Sequence, residues 1–307
     1  MALQTSGPIA GSDVNEELGR SASAQFNLGG PEERELADIL SGAISLSDFY
    51  GAASLPSVTF VNTSNRTGAN IYSLMGSPTE PGLYTFDNRA TISGGESGFA
   101  LRTGVFPAGS ILVIINRGYI LGKGGSAYMV LNDSLNGRPG GHGLYLDMDC
   151  QIENAEGYIR GSGGGGGSIY KTEPYKELSG YGGGGGAGTP AGSGVAASPP
   201  SGAPGGTYTL IRSGAAGTAT SGGAGSKVLY DPADGSADYY YEAGAGGAPG
   251  AAGENGHYLQ GSTRIYTPKE GTVFGVGGAG GKAILTRGFN CTILSGNNST
   301  QIAGGIS

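Results

Sequence analysis

Cysteine, histidine and long apolar runs are scarce in this sequence, and each scarcity removes a class of protein. Two cysteines in 307 residues, Cys150 and Cys291, are too few for a disulfide scaffold and show no zinc-ligand spacing. The two histidines, His142 in GGHG and His257 in NGHY, stand in glycine-rich turns without a Ser-His-Asp order or a metal-ligand pattern. No apolar run approaches the roughly 20 residues of a membrane-spanning helix, and MALQTSGPIA lacks the basic and apolar regions of a signal peptide. Synthesis in a cytoplasm is therefore expected, and no cofactor or metal is. A net charge of −7 and a pI near 4.9 come without a basic stripe, which argues against nucleic acid as a partner. Strings like GxGxxG abound, but none opens a helix after a strand, so phosphate binding is not expected.

Phenylalanine is absent from one region only. Residues 168–270 contain ten of the seventeen tyrosines and no Phe, while all eight Phe lie outside. A core uses both residue types. Tyrosine alone, mixed with Ser, Gly, Asp and Lys, is the composition of a contact surface, where a rigid amphipathic ring offers area at small entropic cost. The candidate contact residues are Tyr170, Tyr175, Tyr208, Tyr230, Tyr239, Tyr240, Tyr241, Tyr258 and Tyr266. The 239–241 triplet is the sharpest of them, because consecutive rings cannot all point inward.

What the chain has in excess is glycine, 65 residues beside 15 Pro. That level approaches low complexity, yet 37% of residues are apolar and strand-like alternation occurs at both ends, which argues against disorder. Residues 161–188, GSGGGGGSIYKTEPYKELSGYGGGGGAG, carry two five-glycine runs. Together with AGAGGAPGAAG (243–253) and GVGGAGG (275–281), these runs can adopt the polyproline II conformation, five to seven residues spanning about 15–22 Å. Without side chains to hold them apart, such helices can lie side by side and exchange backbone hydrogen bonds. The scaffold glycines in this reading are Gly163, Gly165, Gly167, Gly182, Gly184, Gly186, Gly246 and Gly247.

The fold class expected is mainly β, in three regions. Residues 1–55 hold short helix signals: Ser12 or Asp13 as a cap, Pro31 at a first helical position before Glu32, Glu33, Leu36, Ile39 and Leu40, and an echo of Ser6–Asp13 in Ser41–Asp48. Their apolar residues bury little alone, so this segment is expected to dock on its own copies or on a larger assembly. Residues 56–128 form a β support domain, in which Ile111–Ile115 is a continuous apolar run suited to a strand buried on both faces. Residues 129–307 form the glycine-rich tip. Across these regions VIINRGYILGKGG (113–125) and CQIENAEGYIRGSGGGGG (150–167) share the order strand, Asn, turn, strand, glycines. A degenerate third copy begins at Cys291, so the units are expected to pack on one another, with the two cysteines as equivalent small buried residues.

Catalysis has few candidates. Asp147 and Asp149, at i and i+2, would share one face of a strand whose other face carries Leu146 and Met148. Asp231, Asp234, Asp238 and Glu242 sit in a loop without a scaffold to fix two carboxylates at the separation that glycoside cleavage needs. A solvated face and solvated loop charge are the better readings, and no enzyme is expected.

FPAGSILVIINRGYILGKGG (106–125), GGHGLYLDMDCQIENAEGYIRGSGGGGG (140–167) and GGAGGKAILTRGFNCTI (277–293) together resemble the glycine-rich tail-fibre and receptor-binding proteins of tailed bacteriophages. MALQTSGPIAGSDVNEELG and SGAISLSDFYG (41–51) are similar to the segments with which phage tail proteins often begin. The resemblance implies a virion adhesin with polyglycine II helices in a sandwich, and host-specificity loops at 168–179, 189–213, 227–242 and 255–273. It also implies a homotrimer, docking to other tail proteins through the N-terminal segment, and a bacterial surface receptor of protein or glycan. A structural tail component without a receptor, or a polysaccharide-cleaving spike, are the alternative functions.

Overall fold

The computed structural model describes the chain apart from residues 1, 2, 5, 38, 40, 51–54, 96, 97, 129–133, 172–178, 199–205, 233–235, 237, 261 and 268–271. Contacts divide it into two compact units, residues 1–57 with 81–83, and residues 58–80 with 84–307.

In the first unit, helices Gly11–Glu17 and Pro31–Leu36 and a 3-10 turn Leu46–Phe49 surround Leu3, Ile9, Val14 and Phe49. The internal echo has a structural meaning. Asp13 Oδ2 accepts the N–H of Ala10 at 2.8 Å, and its counterpart Asp48 accepts the N–H of Ser45 at 2.7 Å, so both copies begin a turn in the same way. Pro31 opens its helix as expected, but that helix stops at Leu36, short of Ile39. Glu33 is buried against Arg20 at 2.6 Å.

The second unit begins as a stack of coils, because each coil turns the same three corners. One sheet is ordered Ser57–Asn62, Leu83–Asn88, Ile111–Asn116, Cys150–Glu153, Cys291–Ser295. Another is Arg66–Thr67, Thr91–Ser93, Tyr119–Leu121, Tyr158–Arg160, Ile302–Ala303, and a third is Ala69–Asn70, Phe99–Arg102, His142–Tyr145, Ile284–Leu285. Registered neighbours run parallel, as Ile114↔Ile152, Ile120↔Ile159↔Ile302 and Leu101↔Leu144↔Ile284 do, which places like residues over like in the core. At the first corner a buried asparagine stands in successive coils. Asn62 Nδ2 donates to Asn88 at 2.9 Å, Asn88 to Asn116 at 2.9 Å, and Asn116 to Asn154 at 2.7 Å. Each amide thus satisfies the next in an otherwise apolar interior.

Two sequence expectations change here. Ile111–Asn116 is not buried on both faces: Leu112 and Ile114 enter the core, while Ile111 is 43% exposed, because only one side of each sheet faces the solenoid interior. Nor does 56–128 close on itself, since its strands continue each sheet into 142–160 and 284–303. The degenerate third copy is the next coil, with Cys150 in register with Cys291. Both are free thiols, and the hydrogen bond between them and burial push Cys150 upward while the same bond lowers Cys291.

Between Tyr158–Arg160 and Ile284–Leu285, two sides of one coil, the chain builds the glycine block. Residues 161–168 hydrogen-bond outward with a step of three. The N–H groups of Ser162, Gly165 and Ser168 donate to Gly141, Arg138 and Leu135, those of Gly163 and Gly166 to Ala187 and Gly184, and those of Gly164 and Gly167 to Ala251 and Glu254. The carbonyls of Ser162, Gly165 and Ser168 accept from Gly281, Gly278 and Gly275, and those of Gly164 and Gly167 from Gly247 and Gly244. Residues 184–189 repeat the pattern toward 244–247, 215–218 and 122–125. The Pro- and Ala-bearing stretch 189–226 joins in, since Val195 donates to Gly183 and Gly223 to Gly185. Close approach demands glycine: a Cβ on Gly164 would fall inside the contact distance of the Gly278 carbonyl oxygen, and one on Gly185 inside that of Gly192.

Candidate functional site

Sequence alternation decides which tyrosines can meet a partner. Beyond the glycine block, Gly206–Arg212, Lys227–Pro232, Tyr239–Glu242, His257–Gln260 and Thr263–Ile265 form an antiparallel sheet in that order. The expected loops at 227–242 and 255–273 therefore contain the strands Lys227–Pro232, Tyr239–Glu242, His257–Gln260 and Thr263–Ile265. Because successive side chains in a strand face opposite ways, the register sorts the rings.

One face carries Tyr208, Tyr230 and Tyr239 in register, with ring centroids 4.6 and 5.0 Å apart. Tyr241 lies further along it, stacked on Tyr181 at 5.4 Å, and Tyr258 packs 6.4 Å from Phe274. This face covers a second core of Ile169, Tyr181, Val228, Tyr241, Ala243 and Tyr258. Tyr241 is 1% and Tyr258 8% exposed, so these two of the expected contact residues are corrected to core rings. Tyr208, Tyr230 and Tyr239 are half-buried at the margin of that core. Phe274 shows that the core is not purely tyrosine.

The opposite face aligns Leu229, Tyr240, Leu259 and Arg264 across four strands. Lys227 Nζ sits 4.6 Å from the Tyr240 ring centroid, a cation–π contact that holds both side chains on this surface. Leu229, Lys227, Leu259 and Arg264 have no signal in a tyrosine count, and only the alternation around Tyr240 reveals them. At one end of the face Glu242 is 2.5 Å from Arg212 and 3.4 Å from His257 Nε2, whose side chain is fully buried. Tyr266 is 52% exposed beside His257, and Tyr170 is half-buried in the small sheet with 179–181 and 272–274. Tyr175 lies outside the described residues, as does Asp234. All the scaffold glycines expected from sequence stand in the glycine block: Gly163, Gly165, Gly167, Gly182, Gly184 and Gly186 are buried there, as is Gly247, while Gly246 is half-buried.

The carboxylates do not converge. Residues 146–149 form a turn rather than a strand, so Asp147 and Asp149 reach different partners. Asp147 binds Arg102 through both oxygens at 2.5 and 2.7 Å. Asp149 accepts from Asn290 N–H at 2.7 Å and from its side chain at 3.1 Å, and these bonds lower its pKa. Among the described residues no group of acidic, histidine or cysteine side chains is arranged to hold a metal ion. No helix among the described residues is long and apolar enough to cross a membrane.

The fold is thus a parallel solenoid that carries a glycine block and a tyrosine-bearing antiparallel sheet. The chain belongs to the phage tail fibre adhesin Gp38 family, whose model matches residues 57–306. The family is one of adhesins, binding proteins of the phage tail fibre. Among solved structures it is similar to the gp37–gp38 adhesin tip complex of the bacteriophage S16 long tail fiber, at 20% identity and a TM-score of 0.48, covering 99% of this chain and 100% of that one. No curated protein matches it.

Proposed function

We propose that this adhesin recognises a bacterial surface receptor through the outer face of its tyrosine sheet, held out by a polyglycine II scaffold. The observation that carries the reading is the Leu229–Tyr240–Leu259 row flanked by Lys227 and Arg264, a face that turns away from the second core. An apolar centre with a ring and a charged rim is the anatomy of a recognition surface. The step of three in the glycine hydrogen bonds supports the polyglycine II reading, since a helix with three residues per turn aims every third peptide group the same way. Residues 1–55, which lie before the range matched by the family, dock the adhesin to other tail proteins. The homotrimer implied by resemblance is tested by light scattering on the purified chain.

Binding of fluorescently labelled chain to a panel of strains, including mutants in outer-membrane proteins and in surface polysaccharide, tests the proposal. Saturable binding lost in one mutant class names the receptor class. Binding to no strain that supports the phage would instead leave a structural tail component.

A further inference from the structure

A groove of about 680 Å³ opens between the third solenoid sheet and the glycine ribbons, away from the tyrosine sheet. Its size is that of a small-ligand site. The solenoid wall comes from alternation: Leu101 and Leu144 enter the core, which turns Arg102 and Tyr145 outward. Phe99 and Tyr145 form a tilted pair with centroids 5.3 Å apart, and the Arg102 guanidinium lies 6.0 and 5.2 Å from their centroids. Asp147 grips Arg102 from behind, fixing this ring–guanidinium surface and neutralising its charge.

The facing wall adds two further cations. Lys123 and Arg138 stand on the glycine ribbons, and among the described residues neither has a carboxylate within ion-pairing distance. Arg138 lies 4.6 Å over the Tyr128 ring. His142 completes the lining with a defined hydrogen-bonding role. Its Nδ1 accepts the Lys282 N–H at 2.9 Å, so a neutral ring carries its proton on Nε2; burial and the nearby Lys282 charge keep the ring neutral by lowering its pKa. Two positive charges thus gather in a concavity without a carboxylate partner among the described residues, in a chain of net charge −7.

We infer that this groove binds a saccharide bearing an acid group, such as a uronic acid or sugar phosphate of a cell surface. The C–H face of the sugar packs on Phe99 and Tyr145, the acid group meets Lys123 and Arg138, and a hydroxyl accepts from His142.

Calorimetric titration of the full chain with tetragalacturonate, maltotetraose and inorganic phosphate tests this. Tetragalacturonate alone is expected to bind, and the Lys123→Ala/Arg138→Ala variant to weaken it by about tenfold or more while the melting temperature holds. If that variant melts early, salt supplies the second reading: raising it from about 50 to 500 mM should weaken binding to the wild-type chain. Tyr240→Ser, on the separate receptor face, should leave the titration unchanged. No binding, equal binding of maltotetraose or of phosphate, salt-insensitive binding, or undiminished binding by a stable double variant would each overturn the inference.

Discussion

At the scale of the residue, close backbone approach in the glycine block and a buried amide ladder in the solenoid each depend on single residues. Gly165 and Gly184 admit no Cβ, since each faces a carbonyl oxygen from a neighbouring ribbon, of Ser126 and Gly223 respectively. Gly165→Val or Gly184→Val is therefore expected to abolish the protease resistance of the glycine block, read by limited proteolysis. Asn116→Ala strands the Asn88 donor and the Asn154 acceptor in a buried ladder, at a cost of about 2–4 kcal/mol, measurable by urea denaturation. Just below neutral pH, His142 contributes a pH response. Its folded pKa lies below the ordinary 6.5, so the native state binds fewer protons than the unfolded chain there. Its contribution is complete above 6.5 and is lost as pH falls, a slope that His142→Gln should reduce in melting curves between pH 7 and 5. Sequence showed the recurrence of Asn116 and Asn154 after similar strands, but Asn62 and Asn88 sit in coils too diverged to align by eye.

Among the elements, composition and register tell different things. The tyrosine-rich, phenylalanine-free stretch coincides with the five-stranded antiparallel sheet and much of the second core. Yet it could not say which ring of Tyr239-Tyr240-Tyr241 faces inward, because that depends on strand phase against the second core. Tyr240 and Tyr241, adjacent in sequence, are expected to behave oppositely. Tyr240→Ser should weaken binding to host cells with an unchanged melting temperature. Tyr241→Ser should cost about 3–5 kcal/mol, the loss typical of a buried aromatic ring, seen as an early thermal transition. The two-residue strands Ala69–Asn70 and Ile284–Leu285 escaped sequence reading for a related reason: at that length no periodicity exists to detect.

For the whole molecule, the repeat of strand, turn and strand was legible in the sequence, and so was the β-rich class. The closure of the coils by a third sheet was not, nor was the continuity of the 56–128 region with the strands at 142–160 and 284–303. The N-terminal unit offers its own test. Deleting residues 1–50 is expected to leave cell binding by the free chain intact and to prevent its incorporation into virions, read by immunoblotting purified particles. The glycine block and tyrosine sheet leave the solenoid after Arg160 and return at Ile284, and the strands on either side of the excursion pair as neighbours, Ile152 with Ile293 and Ile159 with Ile302. This arrangement has a mechanical meaning. A pull on the glycine block and tyrosine sheet enters one coil at Arg160 and Ile284, and the coil before it at Leu121 and His142, where residues 122–128 and 134–141 join the same block, so the load is shared between two neighbouring coils and spread along the parallel ladders.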